Sequence, residues 1–106
     1  MKRFDVNDIQ LEIQSPSITI DSKLEDKIVS RIEKLGKVFP RINKCVLLLK
    51  WEKDSRDKEC LAEAKVFVPG EMLFSKQHEA SFEMASKKLL DDIEDQLMRS
   101  KQKLEN

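Results

Sequence analysis

The segment KIVSRIEKLGKVFPRINK, residues 27–44, concentrates positive charge in a chain that carries no net charge. Its bases are Lys27, Arg31, Lys34, Lys37, Arg41 and Lys44, and its one acid is Glu33. The whole chain balances 20 Lys and Arg residues against 20 Asp and Glu residues. Basic side chains on one continuous surface bind phosphates, and each phosphate that they neutralise adds salt-dependent affinity. The segment is therefore a candidate phosphate-binding surface.

More bases surround this segment or recur near the C-terminus. Lys23, Lys27, Arg31 and Lys34 follow one another at spacings of three and four on one helical face. The C-terminal stretch has bases at both ends and acids in its middle: Lys87, Lys88, then Asp91, Asp92, Glu94, Asp95, then Arg99, Lys101 and Lys103. A competing interpretation is that these bases only solvate helix surfaces and complement the helix dipole. The charge pattern alone favours neither interpretation.

Two apolar periods predict the elements that must position these charges. Alternation with the period of a strand covers residues 9–14, 45–51, 60–68 and 72–78. Helical spacing covers Leu24, Ile28, Ile32 and Leu35, and later Phe82, Ala85, Leu89, Ile93, Leu97 and Leu104. We expect Asp21 or Ser22 to cap the first helix, with Glu25 completing a capping box, and Gly36 and Pro40 to end it.

The predicted order is β-α-β-β-β-α, an α+β fold. A strand–helix–strand start favours a parallel first pair of strands with a right-handed crossover. Short connections make the remaining strands antiparallel, so both helices cover one face of a four-stranded sheet. The two basic helices would then lie side by side.

The two cysteines are predicted to be buried, reduced thiols. They lie on two strands that form a hairpin turning near Ser55–Arg56, which places Cys45 opposite Val66 and Cys60 opposite Trp51. A disulfide needs Cα atoms within about 7 Å, so the two should not meet. A metal site made from this pair is excluded for the same reason.

No other side chains form a pattern typical of catalysis. His78 is the one histidine and has no evident partners for a triad or a metal site. Glu79 and Glu83 resemble a carboxylate pair but lack a loop that would form a pocket. Trp51 is expected in the core, on the helix-facing side of its strand. We expect no enzyme activity, no cofactor and no metal.

The composition indicates a single ordered domain spanning residues 1–106. The chain is 40% hydrophobic and 38% charged, which is too apolar for a disordered chain. No apolar run approaches the roughly 20 residues that cross a membrane. The N-terminal MKRFDVND has no apolar stretch after its bases, so it does not resemble a signal peptide. We therefore expect a cytoplasmic protein with neither DNA nor a membrane as partner.

In the order and spacing of its motifs, the chain resembles the ribosome hibernation promoting factors, also called ribosome-associated inhibitors or sigma-54 modulation proteins. The resemblance covers nearly the whole length. It is carried by IQLEIQSPSITIDSKLEDKIVSRIEKLGKVFPRI, LAEAKVFVPGEMLFS and ASKKLLDDIEDQLMRSKQKL. Within these segments the most telling residues are Phe39 with Ile42, Val68-Pro69-Gly70 with Leu73, and Gln96-Leu97 followed by alternating bases.

The resemblance implies a fold with the layout of double-stranded RNA-binding domains, and a partner. Such proteins bind the small ribosomal subunit through ribosomal RNA, in the channel for messenger and transfer RNA, and hold idle ribosomes inactive. Carried over by position, the RNA-binding residues are Lys23, Lys27, Arg31, Lys34, Lys37, Arg41, Lys87, Lys88, Arg99, Lys101 and Lys103, with Lys76 a weaker candidate. The chain resembles the short form, without a C-terminal dimerisation domain. Asp92 and Asp95 stand where relatives carry bases, and such acids repel phosphate.

An alternative function remains open. The sheet face away from the helices would carry Val46, Leu48, Phe67, Met72 and Phe74. An exposed apolar patch of this kind marks a contact site. The chain would then be a protein–protein interaction module, or would self-associate weakly through the sheet, with its basic helices merely solvated.

Overall fold

The computed structural model describes residues 1–53 and 59–105, and it describes side chains on the last helix as far as Lys101. The predicted turn at Ser55–Arg56 and the side chains of Lys103 and Leu104 lie outside this part. In chain order the elements are β1 (Lys2–Val6), β2 (Ile9–Gln14), α1 (Ser22–Val38), β3 (Lys44–Trp51), β4 (Cys60–Val68), β5 (Glu71–Glu79) and α2 (Phe82–Glu105).

The strands form one mixed sheet in the order β1-β2-β3-β4-β5. β2 and β3, which α1 connects, are parallel, and all other neighbours are antiparallel. Alternate strand residues such as Leu11, Leu47 and Ala64 join the buried faces of both helices in one hydrophobic core. The predicted α+β class, strand directions and placement of the helices on one face are confirmed.

The predicted strand count of four is wrong, because β1 adds a fifth strand at the edge. β1 pairs with β2 through a two-residue connection, with Val6 opposite Ile9. Asn7 and Asp8 have positive φ angles of 50° and 66°, which a tight hairpin turn of type I′ requires at both central positions. Asn and Asp tolerate this conformation best after glycine. The Asn-Asp pair, preceded by alternating apolar residues, was the sequence signal for this hairpin.

The boundaries of α1 confirm one predicted cap and correct the predicted role of a glycine. The Asp21 side chain accepts a 2.7 Å hydrogen bond from the Leu24 amide, so Asp21 is the N-cap. Gly36 does not end the helix, which continues to Val38. Its Cα is so close to β2 that an added Cβ would lie 2.8 Å from Ile9 Cδ1. Gly36 therefore permits close packing instead of breaking the helix.

The strand register confirms the prediction for the cysteines. Cys45 lies opposite Val66 and Cys60 opposite Trp51, and both thiols are free and buried. Burial raises the pKa of the Cys45 thiol to about 12.

The prediction that Trp51 belongs to the core is wrong, since this residue is 54% exposed. It lies at the last position of β3, and its ring is T-shaped to the ring of Phe82, the first residue of α2, at a centroid distance of 5.2 Å. The period of a strand gives the side on which a residue lies, but not how far the covering layer extends.

Two further features concern the chain as far as it is described. Neither α1 nor α2 combines the length and apolar character needed to span a membrane. Within residues 1–53 and 59–105, no three His, Cys, Asp or Glu side chains gather in a way that could hold a metal ion.

Candidate nucleic-acid interface

The exposed side of α1 brings four of the predicted RNA-binding residues together. Lys23, Lys27, Arg31 and Lys34 line one shallow depression along this helix, together with Asp26 and Ser30. The apolar residues Ile28, Ile32 and Leu35 face the core, which leaves the bases on the solvent side. The helical spacing of the bases therefore does produce one basic face.

Acids of α2 neutralise part of that face. Lys27 forms an ion pair with Glu83, and Arg31 Nη2 lies 2.7 Å from Asp91 Oδ1 and 4.0 Å from Glu94 Oε1. The hydrogen bond from Arg31 lowers the pKa of Asp91, and the hydrogen bond from Lys27 lowers the pKa of Glu83. The seam between the two helices is thus a row of ion pairs.

Four more of the predicted residues have an acidic neighbour. Lys37 lies 3.5 Å from Glu33, Lys76 lies 3.7 Å from Glu63, Lys87 lies 3.3 Å from Asp91, and Lys88 lies 2.8 Å from the buried Glu79. Lys76 also stands on the outer face of the sheet, opposite Glu63, because its neighbour Ser75 faces the core. It is therefore separated from the helical bases.

Glu79 and Glu83, the two carboxylates that resembled a catalytic pair, form ion pairs with different lysines. Glu79 contacts Lys88, whereas Glu83 contacts Lys27 on the other helix. His78 lies 3.1 Å from the Glu52 carboxylate, and this hydrogen bond lowers the pKa of Glu52.

Five predicted bases are exposed and form no ion pair with another described residue. They are Lys23, Lys34, Arg41, Arg99 and Lys101. An exposed ion pair in water is worth only about 0–1 kcal/mol, so the paired bases can still exchange an acid for a phosphate. These five bases are nevertheless the ones that a phosphate meets without displacing an ion-paired acid among the described residues.

The tertiary structure gathers several of these bases at one end of the helix pair. Lys37 and Arg41, from the end of α1 and the residues after it, line the same groove as Lys101 of α2. These residues are far apart in sequence, so spacing along one helix could not reveal the cluster. The available signal was only that both helices end in bases.

The outer face of the sheet is partly apolar. Val46, Leu48 and Phe67 are half-buried, whereas Met72 and Phe74 are 48% and 44% exposed. The strand register places Lys65 between Val46 and Phe74, and places Phe67 between Lys44 and Met72. Lysines therefore interrupt or border the apolar residues.

Proteins from two bacteria are among the solved structures with the same fold. A ribosomal subunit interface protein from Coxiella burnetii is 13% identical, with a TM-score of 0.75 over 86% of this chain and 96% of that chain. The N-terminal domain of Thermus thermophilus Protein Y is 18% identical, with a TM-score of 0.68 over 83% of this chain and 93% of that chain. At these identities the likeness concerns the fold. A search of curated proteins finds no match.

A family model provides the assignment that these structures do not. The model described as "Sigma 54 modulation protein / S30EA ribosomal protein" matches residues 11–105. The match begins within β2 and ends at the last residue of α2, so it includes the parallel strand pair, both helices and the basic segment. The chain belongs to the sigma 54 modulation protein / S30EA ribosomal protein family.

Proposed function

We propose that this protein binds the small ribosomal subunit through ribosomal RNA, blocks the channel for messenger and transfer RNA, and so inhibits translation in idle cells of stationary or stressed cultures. The observation that carries the proposal is the family match over residues 11–105. The Coxiella burnetii neighbour, described as a ribosomal subunit interface protein, supports the same partner. The site of action would be the cytosol.

The mechanism is occlusion by a rigid domain. The exposed bases of α1 and the end of α2 would contact phosphates, which fix the position of a protein without reading sequence. Folded RNA would be recognised by its shape. No step of bond chemistry is required, because a domain seated in the channel excludes the other ligands.

The decisive experiment is co-sedimentation with small subunits, vacant ribosomes and messenger-loaded ribosomes. We expect the protein to sediment with small subunits and vacant ribosomes and to be depleted from loaded ones. Equal recovery on all three particles would contradict occlusion.

Charge-reversal variants test the binding face. The double change Lys23→Glu and Lys34→Glu removes two exposed bases that form no described ion pair, so it should abolish sedimentation without breaking a contact. The matched control is Lys44→Glu with Lys65→Glu, two exposed bases on the outer face of the sheet. If both double variants lose binding equally, binding is not directed to the helical face.

The salt dependence of binding counts the phosphate contacts. On a log–log plot the slope is roughly −0.7 to −0.9 per phosphate neutralised. Five unpaired bases therefore predict a slope of about −4, and ten or more contacts predict about −8. A flat response between 50 and 200 mM salt, a range over which about 6–10 contacts would lower affinity by roughly 10³–10⁵, would remove the basic surface from the mechanism.

A second candidate function rests on the exposure of Met72 and Phe74 on the outer face. Under this alternative the chain is a protein–protein interaction module, or self-associates through the sheet. The variant Phe67→Ser with Phe74→Ser should then lose its partner, whereas the variant Lys23→Glu with Lys34→Glu should keep it. The opposite result supports ribosome binding through the helices.

A further inference from the structure

A groove lies where the end of α1, the end of β4 and the last turns of α2 meet. We name it the helix-end groove, and its exposed lining consists of Lys37, Val38, Pro40, Arg41, Pro69 and Lys101. Its volume is about 550 Å³. This is within the range of about 300–1,000 Å³ that small-ligand sites occupy. Two of the segments that carry the family resemblance, around Phe39 and around Pro69, meet here.

The floor of the helix-end groove is apolar. Phe39, Ile42 and Leu97 belong to the hydrophobic core and form its base. Val38 is 55% exposed although it is aliphatic. Exposed apolar surface of this kind is stabilised when a ligand covers it.

The rim of the groove is positive. Lys37 forms an ion pair with Glu33 at 3.5 Å, whereas Arg41 and Lys101 form no ion pair with a described residue. Ser100 also lines the groove and donates a 2.8 Å hydrogen bond to Glu71. Among the described residues, three cations thus stand against the carboxylates of Glu33 and Glu71, which favours an anionic occupant.

The hydrogen-bonding character of the lining favours nucleic acid over an acidic peptide. The polar side chains of the groove are cationic donors, except for Ser100, whose hydroxyl already donates to Glu71. A phosphodiester backbone is rich in acceptors, whereas a peptide also brings amide donors that need acceptors. Arg41 adds a planar guanidinium, a surface on which unstacked bases stack.

We propose that the helix-end groove takes one unstacked nucleotide of single-stranded RNA. The base covers Val38 and Pro69 and stacks on the Arg41 guanidinium, while the flanking phosphates contact Lys37 and Lys101. This inference rests on the proposed function and deepens it, because it adds contact with a base to an interface otherwise made of phosphates. The occupant is an extruded base in a loop of ribosomal RNA.

The test compares a mixed-sequence RNA hexamer with the same ribose-phosphate backbone lacking bases. We expect the hexamer to shift the methyl NMR signals of Val38, Ile42 and Val68, and to bind at least about five-fold more tightly than the abasic backbone, because base stacking contributes that much or more. An acidic peptide serves as the competing ligand. Equal affinity for both backbones would show a phosphate surface only and overturn the proposal. Methyl shifts with the peptide but not with the hexamer would also overturn it.

Matched variants separate the groove from the rest of the surface. Val38→Ser should remove the preference for the hexamer, whereas Met84→Ser, on the similarly exposed Met84 of α2 (50% against 55%), should keep it. Arg41→Gln should weaken hexamer binding several-fold, whereas Arg3→Gln, on the outer face of the sheet, should not. All four side chains are exposed, and thermal melting verifies that each variant folds.

Co-sedimentation with small subunits distinguishes the two proposals. If Val38→Ser sediments like the unchanged protein while Lys23→Glu with Lys34→Glu does not, the groove proposal fails and the proposed function stands. If the hexamer binds in the groove but neither the unchanged protein nor any variant sediments with small subunits, the proposed function fails and the groove proposal stands.

Discussion

At the scale of single residues, Gly36 illustrates how one hydrogen atom sets the distance between a helix and a strand. A Cβ at this position would approach Ile9 Cδ1 to 2.8 Å, and Ile9 is 1% exposed, so the methyl group has little room to move. Overpacking of a core costs about 1–3 kcal/mol. Alanine would gain about 1 kcal/mol over glycine from helix propensity.

The change Gly36→Ala should therefore be neutral or destabilising by up to about 2 kcal/mol in the free energy of unfolding. The matched background is Ile9→Val, which removes the Cδ1 atom. In that background Gly36→Ala should stabilise by about 1 kcal/mol, since only the propensity gain remains. Urea denaturation of the unchanged protein, the two single variants and the double variant measures the coupling free energy between the two positions. If the two changes are additive, the steric explanation is refuted.

Asp91 gives stability a dependence on pH. Its pKa is lowered in the folded state, chiefly by the hydrogen bond from Arg31. A carboxyl group whose pKa is lower in the folded protein than in the unfolded one, where it is near 3.9, stabilises the fold at pH values above the unfolded pKa. That stability is lost as pH falls through the folded pKa. Asp91→Asn should cost at most about 1 kcal/mol at pH 7, because the side chain is half exposed. The difference from the unchanged protein should shrink as pH falls below the unfolded value and vanish below the folded pKa.

The control for this titration is Asp95→Asn. Asp95 is exposed and forms no ion pair with a described residue. Because Asp95 has no contact with Arg31, its substitution should cost less stability at pH 7 than Asp91→Asn does. If Asp95→Asn shows the same pH profile as Asp91→Asn, the contact with Arg31 is not the cause.

At the scale of elements, the seam between α1 and α2 determines how many of the predicted bases are available to phosphate. Asp91 holds both Arg31 and Lys87, at 2.7 and 3.3 Å. Asp91→Asn should therefore strengthen binding to small subunits, by up to about five-fold, because an exposed pair is worth about 0.2–1 kcal/mol. The salt dependence should also become steeper, since more bases then contact phosphate.

Asp95→Asn is also the control for the effect of Asp91→Asn on binding to small subunits. Asp95→Asn removes an equal charge without releasing a base, so it reports only the general loss of repulsion. We expect a larger gain from Asp91→Asn in co-sedimentation titrations at fixed salt. Equal gains would mean that the ion pairs do not restrict Arg31 and Lys87.

The sheet edge at β5 is protected by α2. Gln96 Nε2 donates a 2.8 Å hydrogen bond to the carbonyl oxygen of Phe74, and a second, 3.0 Å hydrogen bond to Asp92. A free strand edge is a template for pairing with another chain, and a side chain that occupies its carbonyl weakens that template. This contact argues against association through the β5 edge.

At the scale of the whole molecule, the two thiols report on global opening. Cys45 is 1% exposed and Cys60 2%, and burial raises the pKa of both. Because the thiolate is the reactive form, native protein at pH 8 should react with an alkylating reagent only as fast as it unfolds. Mass spectrometry should show that thiols are alkylated more slowly in more stable variants, so that Ile9→Val, which is less stable, reacts faster than the unchanged protein. A rate that is fast and unaffected by stability would place a thiol at the surface.

Apolar periodicity and the cap at Asp21 were sufficient to predict the two helices and the strands β2 to β5, because these depend on local spacing. The parallel strand pair and the cysteine register followed once rules for crossovers and hairpins were added to these local signals. These signals did not reveal β1, although the Asn7-Asp8 turn encodes it locally. Eleven of the twelve predicted RNA-binding residues lie on the two helices or directly after the first one, whereas Lys76 lies on β5. Which of them are paired with acids was beyond local reasoning, since Lys27 meets Glu83 across 56 positions and Arg31 meets Asp91 across 60.

From the sequence alone came the order of elements from β2 to α2, the faces that these elements bury and the family to which the chain is similar, since these follow from spacing and composition along short segments. Only the tertiary structure decided that Trp51 is exposed, that Gly36 serves close packing, and that the helix seam is neutralised while the bases Lys37, Arg41 and Lys101 meet in one groove. The physical reason is that burial and electrostatic pairing depend on distances between distant segments, and those distances exist only once the layers are packed together.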